Sequence, residues 1–215
     1  LDQGTAFDIA LRELLAEIIA KHKRIVFNGD GYSDDWKVEA QKRGLLNYPD
    51  TMSAIPHLDS EEHIALFMKH HVLSQRELEA RAEVMFDHYF KTINIEGETT
   101  EWIASTMILP AAMSVLKEQS ALALSMKELS IHSNAVLTGI KELTGLCDEL
   151  HDALTILHAA NIELGGETIH EKAHHVHRNV IPAMNAVRTC ADKIERLLPD
   201  ALRVMPNYRE MLFVK

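Results

Sequence analysis

The stretch VLTGIKELTGLCDELHDALTIL, residues 136–157, decides the fold. Its apolar positions Val136, Ile140, Leu143, Cys147, Leu150, Leu154 and Leu157 step by four and three without a miss. That 3.5-residue spacing draws one stripe along a helix, the pattern of helices packed side by side at a shallow angle. A second seam follows: Ile169, Ala173, Val176, Val180, Ala183, Val187, Cys190, Ile194 and Leu197. Between the seams lies Asn161-Ile162-Glu163-Leu164-Gly165-Gly166, a glycine turn, and Thr168 with Glu171 makes a capping box that opens the second helix. The spacing predicts an antiparallel hairpin with arms of about 45 Å at ~1.5 Å per residue.

Upstream of the hairpin, Ser74 with Glu77 forms another capping box, and Leu78, Ala82, Met85 and Tyr89 follow at helical spacing. Gly97 is expected to interrupt this helix, and a further one runs from Glu98 to Glu128 with Pro110 as a kink. Nearer the N-terminus, a helix is expected from Thr5 to His22, with Phe7, Leu11, Leu14, Leu15, Ile18 and Ile19 on one side. Ser33 should cap a short helix closed by Gly44, residues 45–58 read as a surface connection, and Asp59 should cap a helix through His70. The fold class is therefore all-α. It is an elongated bundle of about four long antiparallel helices ending in the hairpin, with shorter N-terminal helices. The pattern divides the chain into residues 1–73, N-terminal helices and loops, and 74–215, the long-helix bundle. The tail from Pro199 breaks the heptads.

Composition limits the function. The 215 residues can bury a real core, and Asp+Glu 32 against Lys+Arg 22 gives a formal charge of -10. That acidity argues against nucleic acid and against anionic membrane surfaces as partners. No apolar run reaches the roughly 20 residues of a membrane span, and no signal peptide is expected. Cys147 and Cys190 sit on the seams as small buried hydrophobes, and a cytoplasmic location is expected. A start at Leu1 instead of Met points to a processed or excised piece.

Chemistry-bearing residues are few. Thirteen histidines include His170, His174, His175 and His177 at one helix start, with His151 and His158 one residue past the preceding seam. His170 and His174 have the i, i+4 spacing that lets two imidazoles share a metal, and His177 and His151 complete the candidate ligand set. Glu167-x-x-His170 and Glu171-x-x-His174 match half of a bundle di-metal motif, but both lie on one helix and no carboxylate breaks the seams. These histidines are expected at the solvent edge of the seam. Asn28-Gly29-Asp30-Gly31 lacks the phosphate-loop and dinucleotide fingerprints, so it reads as a tight turn. Asp34-Asp35 and Glu61-Glu62 suit helix starts. Trp36 and Trp102 read as packing anchors or as contacts for a partner.

Three stretches carry a resemblance. Lys21–Ser33 continuing into Asp34-Asp35-Trp36, then Tyr89–Glu96 with Ile108-Leu109-Pro110-Ala111-Ala112, then Val180-Ile181-Pro182-Ala183-Met184 with the closing Pro206–Phe213, resemble type III glutamine synthetases in order and spacing. The resemblance implies a parent glutamate–ammonia ligase using ATP and Mg or Mn. ATP phosphorylates the side-chain carboxylate of glutamate, and ammonia displaces the phosphate. It places the catalytic residues on a strand-rich barrel ahead of this region. No catalytic, cofactor-binding or metal residue is therefore carried over, and no cofactor is expected in this piece. The implied partners are the catalytic domain of the parent chain and further copies in a homo-oligomer. Phe27, Asn28, Gly29, Asp30, Gly31 and Tyr32 are the expected contact with that domain, since an apolar-glycine turn suits a buried junction. The rival readings are a free-standing helical interaction module and a His/carboxylate metal bundle.

Overall fold

A computed structural model describes residues 6–206 and 208–212. Thr5, the expected start of the first helix, and Asn207 and Phe213 of the closing motif lie outside the described residues. Every regular element among the described residues is helical. Contacts gather the chain into two compact units, residues 1–54 and 55–215. The sequence pattern drew its division at 73/74. Ile55–His57 and the helix Glu61–Lys69 contact the bundle instead, so the contact boundary falls earlier.

The first unit holds α1 (Phe7–His22), a 3-10 turn at Lys23–Ile25, α2 (Asp34–Lys42) and α3 (Thr51–Ala54). Ser33 caps α2 through its side chain to the Trp36 amide at 3.4 Å, and Asp34 and Asp35 sit in the first turn where the helix dipole favours them. Gly44 takes φ +67, the left-handed conformation that ends a helix at little cost only in glycine. Residues 45–58 are not the plain surface connection expected: α3 and a 3-10 turn form there and bury Met52 and Ile55.

The second unit is built on α4 (Glu61–Lys69), α5 (Gln75–Ile103), α6 (Leu109–Glu128), α7 (Asn134–Ile162), α8 (Ile169–His175) and α9 (Ile181–Leu197), with a short α10 (Tyr208–Leu212). Ser60, not Asp59, caps α4. Both capping boxes form: Ser74 with Glu77, and Thr168 with Glu171. The four long helices expected are three. Gly97 does not stop α5, and α5 runs into α6 through a π turn at Ala104–Ile108, one rod of 54 residues. In that turn the Leu109 amide donates to the Ala104 carbonyl, five residues back. The wider turn accommodates Pro110, which lacks an N–H and would crowd the carbonyl four residues before it. The same device, Ile181 N–H to the Val176 carbonyl, carries α8 into α9 past Pro182.

Cross-helix contacts set the directions. Gly139 lies by Gln119 and His158 by Glu101, so α7 runs antiparallel to the rod. His175 meets Ala160 and Lys193 meets Glu149, so α8–α9 runs antiparallel to α7 and parallel to α5. The core is the joined seams: Leu143, Leu150, Leu157, Val176, Val180, Val187 and Ile194 are all at most 1% exposed. Each such side chain contributes about 1.5–3 kcal/mol by leaving water. The seams fray at their ends. Val136 and Ile140 are half-buried, and Leu198 replaces Leu197 inside. On α5 the buried stripe is Leu78, Ala82 and Phe86, so Met85 points outward.

Candidate functional site

The loop expected as a contact is held from beneath. Phe27 stacks on Trp36 with ring centroids 4.6 Å apart, and the Gly29 backbone lies so close to Phe27 that a Cβ there would meet the ring at 2.7 Å. Arg43, at the end of α2, donates from Nη1 to the carbonyls of Val26 at 2.7 Å and Arg24 at 3.2 Å. Its Nε pairs with Glu39 at 2.6 Å, and that hydrogen bond holds the Glu39 carboxyl below its usual range. The Asp30 carboxylate accepts from the Tyr32 amide at 2.9 Å, and its carbonyl accepts from the Ser33 hydroxyl at 2.7 Å. Of the six expected contact residues, Phe27 turns inward as the brace, Asn28, Gly29, Asp30 and Gly31 form the exposed turn, and Tyr32 is 97% exposed. Trp36 is a packing anchor. Trp102, at 59% exposed, is not.

The histidines at the start of α8 are drawn apart by separate partners. His170 Nε2 meets Glu83 at 2.7 Å and its ring packs against Phe86, while His177 Nδ1 lies 3.1 Å from the Tyr89 hydroxyl. His158 Nδ1 lies 2.6 Å from Glu101, whose other oxygen accepts from Asn161, and His151 is exposed. Burial, and then the charges of Arg178, His177 and His170, hold His174 below the ordinary imidazole range. His175 departs from the expected solvent edge, for it is 7% exposed. Its Nε2–H donates to the Ala160 carbonyl at 2.8 Å, and its Nδ1 accepts from Asn179 at 2.9 Å. It thereby satisfies a carbonyl that the end of α7 leaves open. Gly165 sits against it, at φ +77, where a Cβ would overlap the His175 Cβ. Among the described residues no three His, Cys, Asp or Glu side chains gather as metal ligands.

Sequence reasoning missed two features. Arg43 reaches back 17 residues to brace the loop, and Glu101 clamps His158 and Asn161 across helices. Both are long-range polar contacts with no periodic signal. The third surface is α1. Its apolar residues Phe7, Ile9, Leu11, Leu14, Leu15, Ile18 and Ile19 are 40% to 64% exposed, and none of its residues is buried.

Fold and site together define a helical module with a packed three-helix core and an open apolar helix beside a braced loop. Residues 10–129 match the family model described as the glutamine synthetase C-terminal domain, and the chain belongs to that family. It is 34% identical over 215 residues to a type-3 glutamine synthetase of Dictyostelium discoideum, covering 96% of this chain and 29% of that protein. It is 32% identical over 213 residues to a glutamine synthetase of Butyrivibrio fibrisolvens, covering 94% and 29%. It is 29% identical over 222 residues to one of Bacteroides fragilis (strain YCH46), covering 100% and 30%. The chain thus spans less than a third of the length of these relatives.

Proposed function

We propose that this chain is the non-catalytic helical region of a glutamate–ammonia ligase. It packs on the remainder of the enzyme and helps shape a cytoplasmic homo-oligomer. The observation that carries this reading is α1: a helix with an apolar stripe and no buried residue needs a partner surface to leave water. The surface proposed for it is the additional length of the parent, since these relatives are more than three times as long as the matched stretch. ATP and Mg or Mn belong to that remainder. The described residues do not fit a bound divalent metal, which would need clustered carboxylates or histidines.

The test uses the full-length enzyme carrying Leu11→Asp together with Leu15→Asp. Charges on the α1 stripe should shift the sedimentation profile from the assembled enzyme to smaller species and lower turnover with it. Unchanged sedimentation and turnover would overturn the reading.

A further inference from the structure

We propose that Tyr32 is the anchor by which this region docks into a pocket on the remainder of the enzyme, an inference that rests on the reading above. A tyrosine 97% exposed is ordinarily a loosely held side chain, but the peptide on both sides of this one is fixed. Asp30 binds the Tyr32 amide, the Ser33 amide donates to the Asp30 carbonyl at 3.1 Å, and Ser33 begins α2 as its cap. Below it, the Phe27–Trp36 stack is tied to α2 by Arg43, whose guanidinium lies 5.8 Å from the Trp36 ring centroid. Three separate devices thus immobilise a loop whose tip meets only solvent.

Such bracing removes the ordering cost that a flexible loop would meet on binding. Tyrosine is one of the three residue types enriched among the hot spots of protein interfaces. Ile25 and Val26, at 60% and 54% exposed, extend the apolar surface on the N-terminal side. Around the tyrosine lie the carboxylates of Asp30 and Asp35, while Asp34 is already paired with Lys37 at 2.7 Å, so the unpaired charge beside Tyr32 is negative. The surface therefore fits a pocket with an apolar floor and a basic rim. The relatives' additional length makes the preceding part of the same enzyme the occupant.

Two measurements on the full-length enzyme test this. The photoreactive p-benzoylphenylalanine is placed at position 32 in one variant and at position 15, on α1, in another. The expected result is a cross-link from position 32 to residues of the remainder of the enzyme. A cross-link from position 15 but none from 32, or one from 32 only to another copy of this helical region, overturns the proposal and leaves the packing reading standing. No cross-link from either position overturns both. In parallel, Tyr32→Ala should raise the protein concentration at which the assembly half-dissociates by about ten-fold or more, the scale of a hot-spot residue, while Tyr32→Phe restores it. Equal behaviour of Tyr32→Ala and the unaltered enzyme overturns the proposal.

Discussion

Helices α1 and α9 are nearly equal in length, 16 and 17 residues, and both carry apolar residues at helical spacing. In α9 that spacing buries Ala183, Val187, Cys190, Ala191 and Ile194 against α7 and the rod. In α1 it buries nothing. Periodicity reports which face of a helix can be covered, and the rest of the chain decides whether anything covers it. A helix that buries none of its residues among the described ones contributes little to the stability of this chain, since its own propensity is marginal at such length.

The largest effect expected from this contrast comes from substitutions on the two stripes. Val187→Asp places a carboxylate at a position 1% exposed and should prevent the bundle from folding, read as loss of the cooperative thermal transition. Leu150→Ala, at a fully buried position, should cost about 2–5 kcal/mol in denaturant unfolding. Leu15→Ala on α1 should stay within about 0.5 kcal/mol in this chain taken alone. A cost for Leu15→Ala equal to that of Leu150→Ala would erase the distinction between the two helices.

Two helical glycines sharpen the same point at smaller scale. A Cβ on Gly97 would lie 2.6 Å from Asn161 Oδ1 and 2.8 Å from Val180 Cγ1, so Gly97→Ala should destabilise by about 1–3 kcal/mol. A Cβ on Gly145 meets nothing within 4 Å, so Gly145→Ala should stabilise by up to about 1 kcal/mol through helix propensity. Opposite signs in the two unfolding curves are the expected result, and equal signs would refute the close approach at Gly97.

The smallest effect concerns pH. Burial, then the charge of Asp192, pushes the Glu195 carboxyl above its usual range, and its Oε1 is buried without a partner among the described residues. A carboxyl raised in the folded state stabilises it below the unfolded pKa. That contribution is lost as pH rises through the folded value. Glu77 and Glu171, lowered by their capping-box bonds to Ser74 and Thr168, act in the opposite sense and lose their contribution as pH falls. Glu195→Gln should therefore raise the melting temperature at pH 7 and leave it nearly unchanged at pH 4. A melting temperature at pH 7 below that of the unaltered chain would contradict the assignment.

The elements legible in the sequence are those in which a local signal and the long-range packing coincide. The seam residues Leu143, Leu150, Leu157, Val180 and Val187, the two capping boxes and the left-handed Gly44 and Gly165 are of this kind. Gly97 misled because glycine has two readings in a helix, a break or a close approach to a neighbour. Asn161 and Val180 on the neighbouring helices chose the second. His175 was read at the solvent edge because it falls between the seam positions Ala173 and Val176, off the apolar stripe itself. The Gly165 turn folds over it and takes that edge away from water. In the candidate site, the six loop residues were legible as a unit. Their division into a brace and a presented Tyr32 was not, because Trp36 and Arg43 act from a different element.

By itself the sequence determined the all-α class, the hairpin and its turn, and the family, since each rests on periodicity, caps or ordered motifs written along the chain. Only the tertiary structure decided that two expected helices are one rod, that His175 is buried and that no residue of α1 is buried among the described residues. Those outcomes depend on which surfaces meet, and contact between residues distant in the chain has no period to read.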